Sequence, residues 1–172
     1  MSKKFVNPRR DRFLNSRPTT SIETSDIAQK CKFSLAYFTP DQDAAQSFTD
    51  WQGDAGAATL TTLMEKLKEY TKQPLNYWEN QRAGGGSLKV LARYGDFPKK
   101  SAFSHPAHVP HDVVWARFRL AQKVRLIGFV IPEALTDKEY QDSKGRRYRY
   151  DSNTFYIVFF DKEHQFYQME KA

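Results

Sequence analysis

Four basic side chains stand close together in the segment WARFRLAQKVRLIGFVI, residues 115–131: Arg117, Arg119, Lys123 and Arg125, with no acidic residue among them. Arginine presents a planar, permanently charged fork that fits phosphate oxygens two at a time. On a strand, a spacing of two puts Arg117 and Arg119 on one face. The face taken by Arg125 depends on the turn. A two-residue turn at Ala121-Gln122 sets Arg125 beside Phe118, on the opposite face, whereas a three-residue loop sets it beside Arg119. Ala-Gln suits the primed two-residue turns poorly, which favours the longer loop and one shared arginine face. Such a face can hold an RNA backbone; alternatively, the chain's acidic residues neutralise it.

A second group of chemical interest closes the chain. In HQFY, residues 164–167, His164 can exchange a proton near neutral pH, and a tyrosine beside cations can assist. The segment reads as a short final strand after the turn Asp161-Lys162-Glu163. His164 and Phe166 would then share one face, and Gln165 and Tyr167 the other. The plainer role for His164 is to cap that turn. The series His105, His108, His111 suggests a metal, but Pro106 and Pro110 forbid the helix that would gather the three rings. In a polyproline-type segment the outer pair would be roughly 18 Å apart along the axis. No metal and no cofactor are expected. Cys31 is the single cysteine, which excludes an internal disulfide and a multi-cysteine zinc site. Gly84-Gly85-Gly86 lacks the lysine and the strand-to-helix setting of a phosphate loop and reads as a connector.

The elements that position these residues follow from periodicity. Residues 32–39 (KFSLAYFT) alternate as a strand with Phe33, Leu35 and Tyr37 on one side. Leu60, Leu63, Met64 and Leu67 give residues 58–72 the stripe of a helix, stopped by Pro74. Residues 88–94 could be a strand or a short helix, and the prolines of 95–111 disfavour regular structure. Residues 115–120 and 124–131 read as an antiparallel hairpin. Residues 154–160 (TFYIVFF) are apolar on both faces, the mark of a buried central strand. Between hairpin and central strand lies a polar insertion, 132–153, whose Arg146, Arg147 and Arg149 add to the basic surface.

Over 172 residues the net charge is +7, and it is uneven. Residues 1–24 carry a balance of +4, residues 25–114 are neutral, and residues 115–172 carry +3 together with 12 of the 25 aromatic side chains. Basic and aromatic groups interleaved in this way attract polyanions and can stack bases. Residues 1–25 read as a basic mobile arm or extended strap, and 26–172 as a single domain. No apolar run approaches the roughly 20 residues of a spanning helix, and the start lacks a signal-like apolar stretch. A cytoplasmic protein without a membrane partner is expected. The fold class expected is α+β: an antiparallel sheet of four to five strands packed on one or two helices.

The basic hairpin of residues 115–131, the buried strand and the terminal HQFY in NTFYIVFFDKEHQFY, residues 153–167, resemble the second half of RelE/ParE-type toxins. The resemblance implies a twisted, RelE-like sheet. It also implies a toxin of toxin–antitoxin type, acting as a metal-independent endoribonuclease (mRNA interferase) on RNA, often ribosome-bound, with an acidic antitoxin protein covering the sheet. By similarity, Arg117, Arg119 and Arg125 match the phosphate-gripping arginines, and His164 or Tyr167 the terminal acid–base position. The catalytic set expected is His164, Tyr167 and Arg125. Arg117, Arg119, Lys123, Arg146, Arg147 and Arg149 would bind nucleic acid. Two other functions fit the same residues: a non-catalytic RNA-binding protein, or a protein–protein adaptor whose basic ends meet an acidic partner.

Overall fold

The computed structural model describes residues 7–53 and 55–168. Among these residues seven strands and three α-helices follow in chain order: α1 (Pro8–Asn15), β1 (Lys32–Ser34), α2 (Leu60–Tyr70), α3 (Leu75–Asn80), β2 (Leu91–Gly95), β3 (Val114–Arg119), β4 (Arg125–Val130), β5 (Glu139–Gln141), β6 (Arg147–Arg149) and β7 (Thr154–Asp161). Five of the strands form one sheet in the order β1-β7-β4-β3-β2, and β5 pairs with β6 separately. The class is α+β. The sheet is mixed rather than wholly antiparallel, because β1 runs parallel to β7.

Both faces of the sheet are covered, which is why β7 is apolar on both faces from Phe155 to Phe160. On one face, Leu63 and Tyr70 of α2 and Leu75 and Trp78 of α3 bury against a layer that includes Leu91, Phe118, Leu126 and Phe155. Thr59 caps α2, its hydroxyl accepting the Thr62 amide at 3.1 Å. The buried stripe on α2 runs through Leu60, Leu63, Leu67 and Tyr70, whereas Met64, counted in the sequence stripe, is 61% exposed. No helix among the described residues covers the other face. Phe97 and Phe103, from the proline-rich stretch before β3, and Phe166 pack there on Trp115, Ile127, Phe129 and Phe159.

Several expectations need correction. The strand expected over 32–39 ends at Ser34, whose hydroxyl accepts the Ala36 amide, and a turn bonds the Phe38 amide to the Leu35 carbonyl; Leu35 is exposed. The N-terminal arm is not an extended strap at residues 8–15, where Asn7 accepts the Arg9 and Arg10 amides and Pro8 opens α1. No residue of α1 is buried. The helix α3 was not foreseen. Nor is HQFY a strand: Asp161 takes up the backbone donors that a strand there would need, and residues 164–167 are loop.

Two β-bulges reset the register within the sheet. In β2 the register shifts between Arg93 and Gly95, so Tyr94 is the extra residue, and Gly95 supplies the positive φ of 82°. In β7 the shift between the pairs Ile127↔Phe159 and Gly128↔Ile157 makes Val158 extra. This second bulge sets Asp161, rather than Phe160, opposite Arg125. No helix among the described residues is long and apolar enough to cross a membrane.

Candidate anion-binding site

The hairpin β3–β4 pairs Arg119 directly with Arg125 and Arg117 with Ile127. The Leu120 amide donates to the Val124 carbonyl at 3.1 Å, leaving a three-residue loop at 121–123. Arg117, Arg119 and Arg125 therefore lie on one face, at the end of the sheet where β3 stops and β4 begins. The helix α2 braces this end: the Tyr70 hydroxyl donates to the Arg119 carbonyl at 2.5 Å.

The three guanidiniums are held by carbonyls and a phenol instead of carboxylates. Arg117 donates through Nε to the Tyr94 hydroxyl at 3.0 Å and through Nη1 to the Lys89 carbonyl at 3.2 Å. Arg125 donates through Nη1 to the carbonyls of Ala121 and Val124, at 2.8 and 3.0 Å. Arg119 donates through Nη1 to the Gln122 carbonyl at 3.0 Å. No carboxylate forms an ion pair with any of the three among the described residues. Arg125 is 3% exposed and Arg117 8%. The Nε atoms of Arg119 and Arg125 are buried without an acceptor. Burial, reinforced by the charges of Arg119 and Arg117, pulls Arg125 down to about 10. Arg119 is lowered for the same reasons, burial first and then Arg117. Like the indole N–H groups of Trp51 and Trp115, these two Nε atoms have no acceptor, but they alone sit inside a triple cation, which gives this place the charge and the donors to take an anion.

Asp161 is fully buried and lies opposite Arg125, yet its oxygens are spent elsewhere. Oδ1 accepts the amides of Glu163 at 3.2 Å and Gln165 at 3.0 Å, and Oδ2 accepts that of Phe166 at 2.9 Å. This carboxylate folds the loop that carries His164, which sits in the left-handed region at φ 59°. His164 is half-buried, and its pKa is lowered by burial and then by Arg125, with Asp161 opposing and Arg117 and Arg119 adding smaller repulsions. Its ring is therefore neutral at physiological pH. Tyr167 is exposed at the rim and stacks on Tyr94, with centroids 4.8 Å apart and planes within 5°. Lys123, at the loop tip, pairs with Glu163 at 3.4 Å.

The remaining sequence candidates lie elsewhere. Arg146, Arg147 and Arg149 belong to the β5–β6 hairpin, which leaves the sheet between the end of β4 and the start of β7. Strands of six residues separate it from the arginine cluster, about 17 Å at 3.3 Å per residue. There Arg146 pairs with Asp142 at 2.8 Å, and Arg147 and Arg149 with Glu139 at 3.9 and 3.5 Å. His105 and His108 are each packed on aromatic rings, Trp115 and Tyr37 respectively. No group of three His, Cys, Asp or Glu side chains among the described residues could hold a metal ion. Tyr94 and Asp161 were missed as site residues. The one signal available was an acidic residue ending an otherwise apolar strand.

The arrangement can bind a phosphate-like anion and set a neutral imidazole in the field of the guanidiniums that would hold it. Comparison of this chain with protein-family models, curated proteins and solved structures finds no match.

Proposed function

We propose that the chain is a RelE-like, metal-independent endoribonuclease whose active centre is the end of the β3–β4 hairpin. The observation that carries this is the triple arginine cluster with two orphaned Nε donors beside a histidine held neutral. Arg117, Arg119 and Arg125 grip the non-bridging oxygens of a phosphodiester and stabilise the charge that grows on them in the transition state. His164 accepts the proton of the neighbouring ribose 2′-hydroxyl. The 2′-oxygen attacks phosphorus, the bond to the 5′-oxygen breaks, and Tyr167 returns a proton to that departing oxygen. The products are a 2′,3′-cyclic phosphate and a 5′-hydroxyl. The central antiparallel strands with helices on one face are compatible with this reading, and an acidic protein would be a fitting partner for the arginine end.

A second reading, binding of RNA without cleavage, is favoured by the near-complete burial of Arg117 and Arg125, which fixes them as anchors for a phosphate. The two are separated by incubating RNA oligonucleotides with the protein in a chelator and analysing the ends. Cleavage to 2′,3′-cyclic ends, blocked by a 2′-deoxy residue at the scissile site, is expected. Intact RNA that is nevertheless bound would leave the binding reading alone standing.

A further inference from the structure

On the sheet face that carries Trp115 and Ile127, a cavity of about 240 Å³ opens at the end of β4 remote from Arg125. Phe129, on its wall, stands four residues from Arg125, about 13 Å at 3.3 Å per residue. Three aromatic rings meet there as a corner. Phe129 and Tyr156 are direct cross-strand partners whose rings stack, centroids 4.9 Å apart and planes within 12°. The bulge at Val158 is what turns Tyr156, in place of Ile157, to this face. Tyr37, from the loop after β1, stands across both rings, at 72° and 5.0 Å to Phe129 and at 83° and 5.8 Å to Tyr156. The loop holds it there: His108 Nε2 donates to the Tyr37 carbonyl at 3.1 Å, and the imidazole lies within 9° of parallel to the phenol. Tyr150, 37% exposed, adds a fourth ring to the walls.

Four rings and one carboxylate suit a cation. Asp112 is the one charged side chain on the walls; it is exposed and forms no ion pair among the described residues. Aromatic faces carry the negative end of the ring quadrupole, so a cation within about 6 Å of them is attracted, most strongly when desolvated. The kind of cation follows from what the walls lack. A guanidinium or a primary ammonium brings several N–H donors that need acceptors. Beyond Asp112 the lining side chains are phenols, prolines and hydrocarbon groups. An ammonium whose nitrogen carries methyl groups asks for no acceptors and presents its charge through apolar surface. The volume also lies under the roughly 300 Å³ at which ligand clefts usually begin, so it admits a head group and not a whole ligand.

We infer that this corner is a cage for a methylated ammonium head group, carried by a choline-type small molecule or by a methylated lysine side chain. It shares no residue with the arginine site and does not rest on it. The test is NMR titration of the full chain with choline, with Nα-acetyl-trimethyllysine amide and with 3,3-dimethylbutan-1-ol, the neutral carbon isostere of choline. Both cations should bind, the tighter one naming the source. The isostere should bind about tenfold more weakly than choline, the worth of desolvated cation–π contacts. Tyr37→Leu keeps an apolar wall and should remove that preference, whereas Tyr37→Phe should keep it. Asp112→Asn, an exposed change that leaves the core alone, should weaken the cations severalfold at low salt and spare the alcohol. An isostere as tight as choline would reveal a merely apolar pocket and overturns the cage. So does cation affinity unmoved by Asp112→Asn, or a preference unmoved by Tyr37→Leu. Failure of the wild type to bind either cation overturns it as well, and leaves the arginine site standing.

Discussion

Arg125 is the residue at which stability and binding pull apart. A guanidinium 97% out of water beside two others, with an orphaned Nε, is costly to fold around until an anion arrives. Because its folded pKa, about 10, lies below that of a free arginine, the unfolded chain holds a proton that the folded chain releases between those values. Stability from this group therefore rises with pH above about 10. Arg125→Met should abolish phosphodiester binding while leaving the anion-free melting temperature unchanged or higher, and should remove the alkaline rise. A large loss of stability would show that the two carbonyl bonds of Arg125 outweigh its desolvation. At His164 the shift is also downwards, so the acid limb of a cleavage profile should fall below the ordinary imidazole value. His164→Asn, which tolerates the left-handed backbone, should lower the cleavage rate by about 10² to 10⁴ without unfolding the protein. An acid limb at or above pH 7 would acquit His164. That the arginines share a face was legible from the two-residue period and the unsuitability of Ala-Gln for a tight turn. Tyr94 and Asp161 were not: each reaches the site through a bulge, and in β7, apolar on both faces up to its last residue, a bulge leaves no trace in the alternation.

At the scale of elements, Gly128 shows how tightly the β4–β7 bulge is built. A Cβ there would overlap the Tyr156 carbonyl oxygen and lie 2.6 Å from the Phe155 ring. Backbone on the far side cannot swing away as a flexible side chain could. Gly128→Ala should therefore cost about 1–3 kcal/mol, read as a lower denaturation midpoint. It should also weaken RNA binding, since the register it disturbs is the one that sets Asp161 opposite Arg125. An unchanged midpoint would mean that β7 relaxes locally. The helix α2 was readable because its leucines repeat at helical spacing, and the α3 that follows was not, being six residues long and opening on a proline. The covering of the second sheet face was equally hidden. It is made by a proline-rich stretch whose aromatic anchors, Phe97 and Phe103, obey no period at all.

Across the whole molecule, net charge and site do not coincide. The formal charge of +7 draws attention to both ends of the chain and to the run Arg146, Arg147, Arg149. Yet those three arginines stand on an exposed hairpin at the far end of the sheet, each facing an acidic neighbour. Exposed pairs of that kind hold little free energy and screen readily in salt. On the proposed function, the cations that carry binding are the three that form no ion pair among the described residues and converge on one place. Two consequences separate local from global charge. Replacing Arg146, Arg147 and Arg149 together by Gln takes three charges from the molecule and should change affinity for single-stranded RNA by less than about twofold at moderate salt. Arg119→Gln takes one charge and should lower affinity at every RNA sequence tested. It should also make the salt dependence shallower by about 0.7 in the log–log slope, the share of one phosphate on a single strand. Should the triple hairpin variant lose as much affinity as Arg119→Gln, the RNA path would run the length of the sheet, and the arginine cluster would be one contact among several.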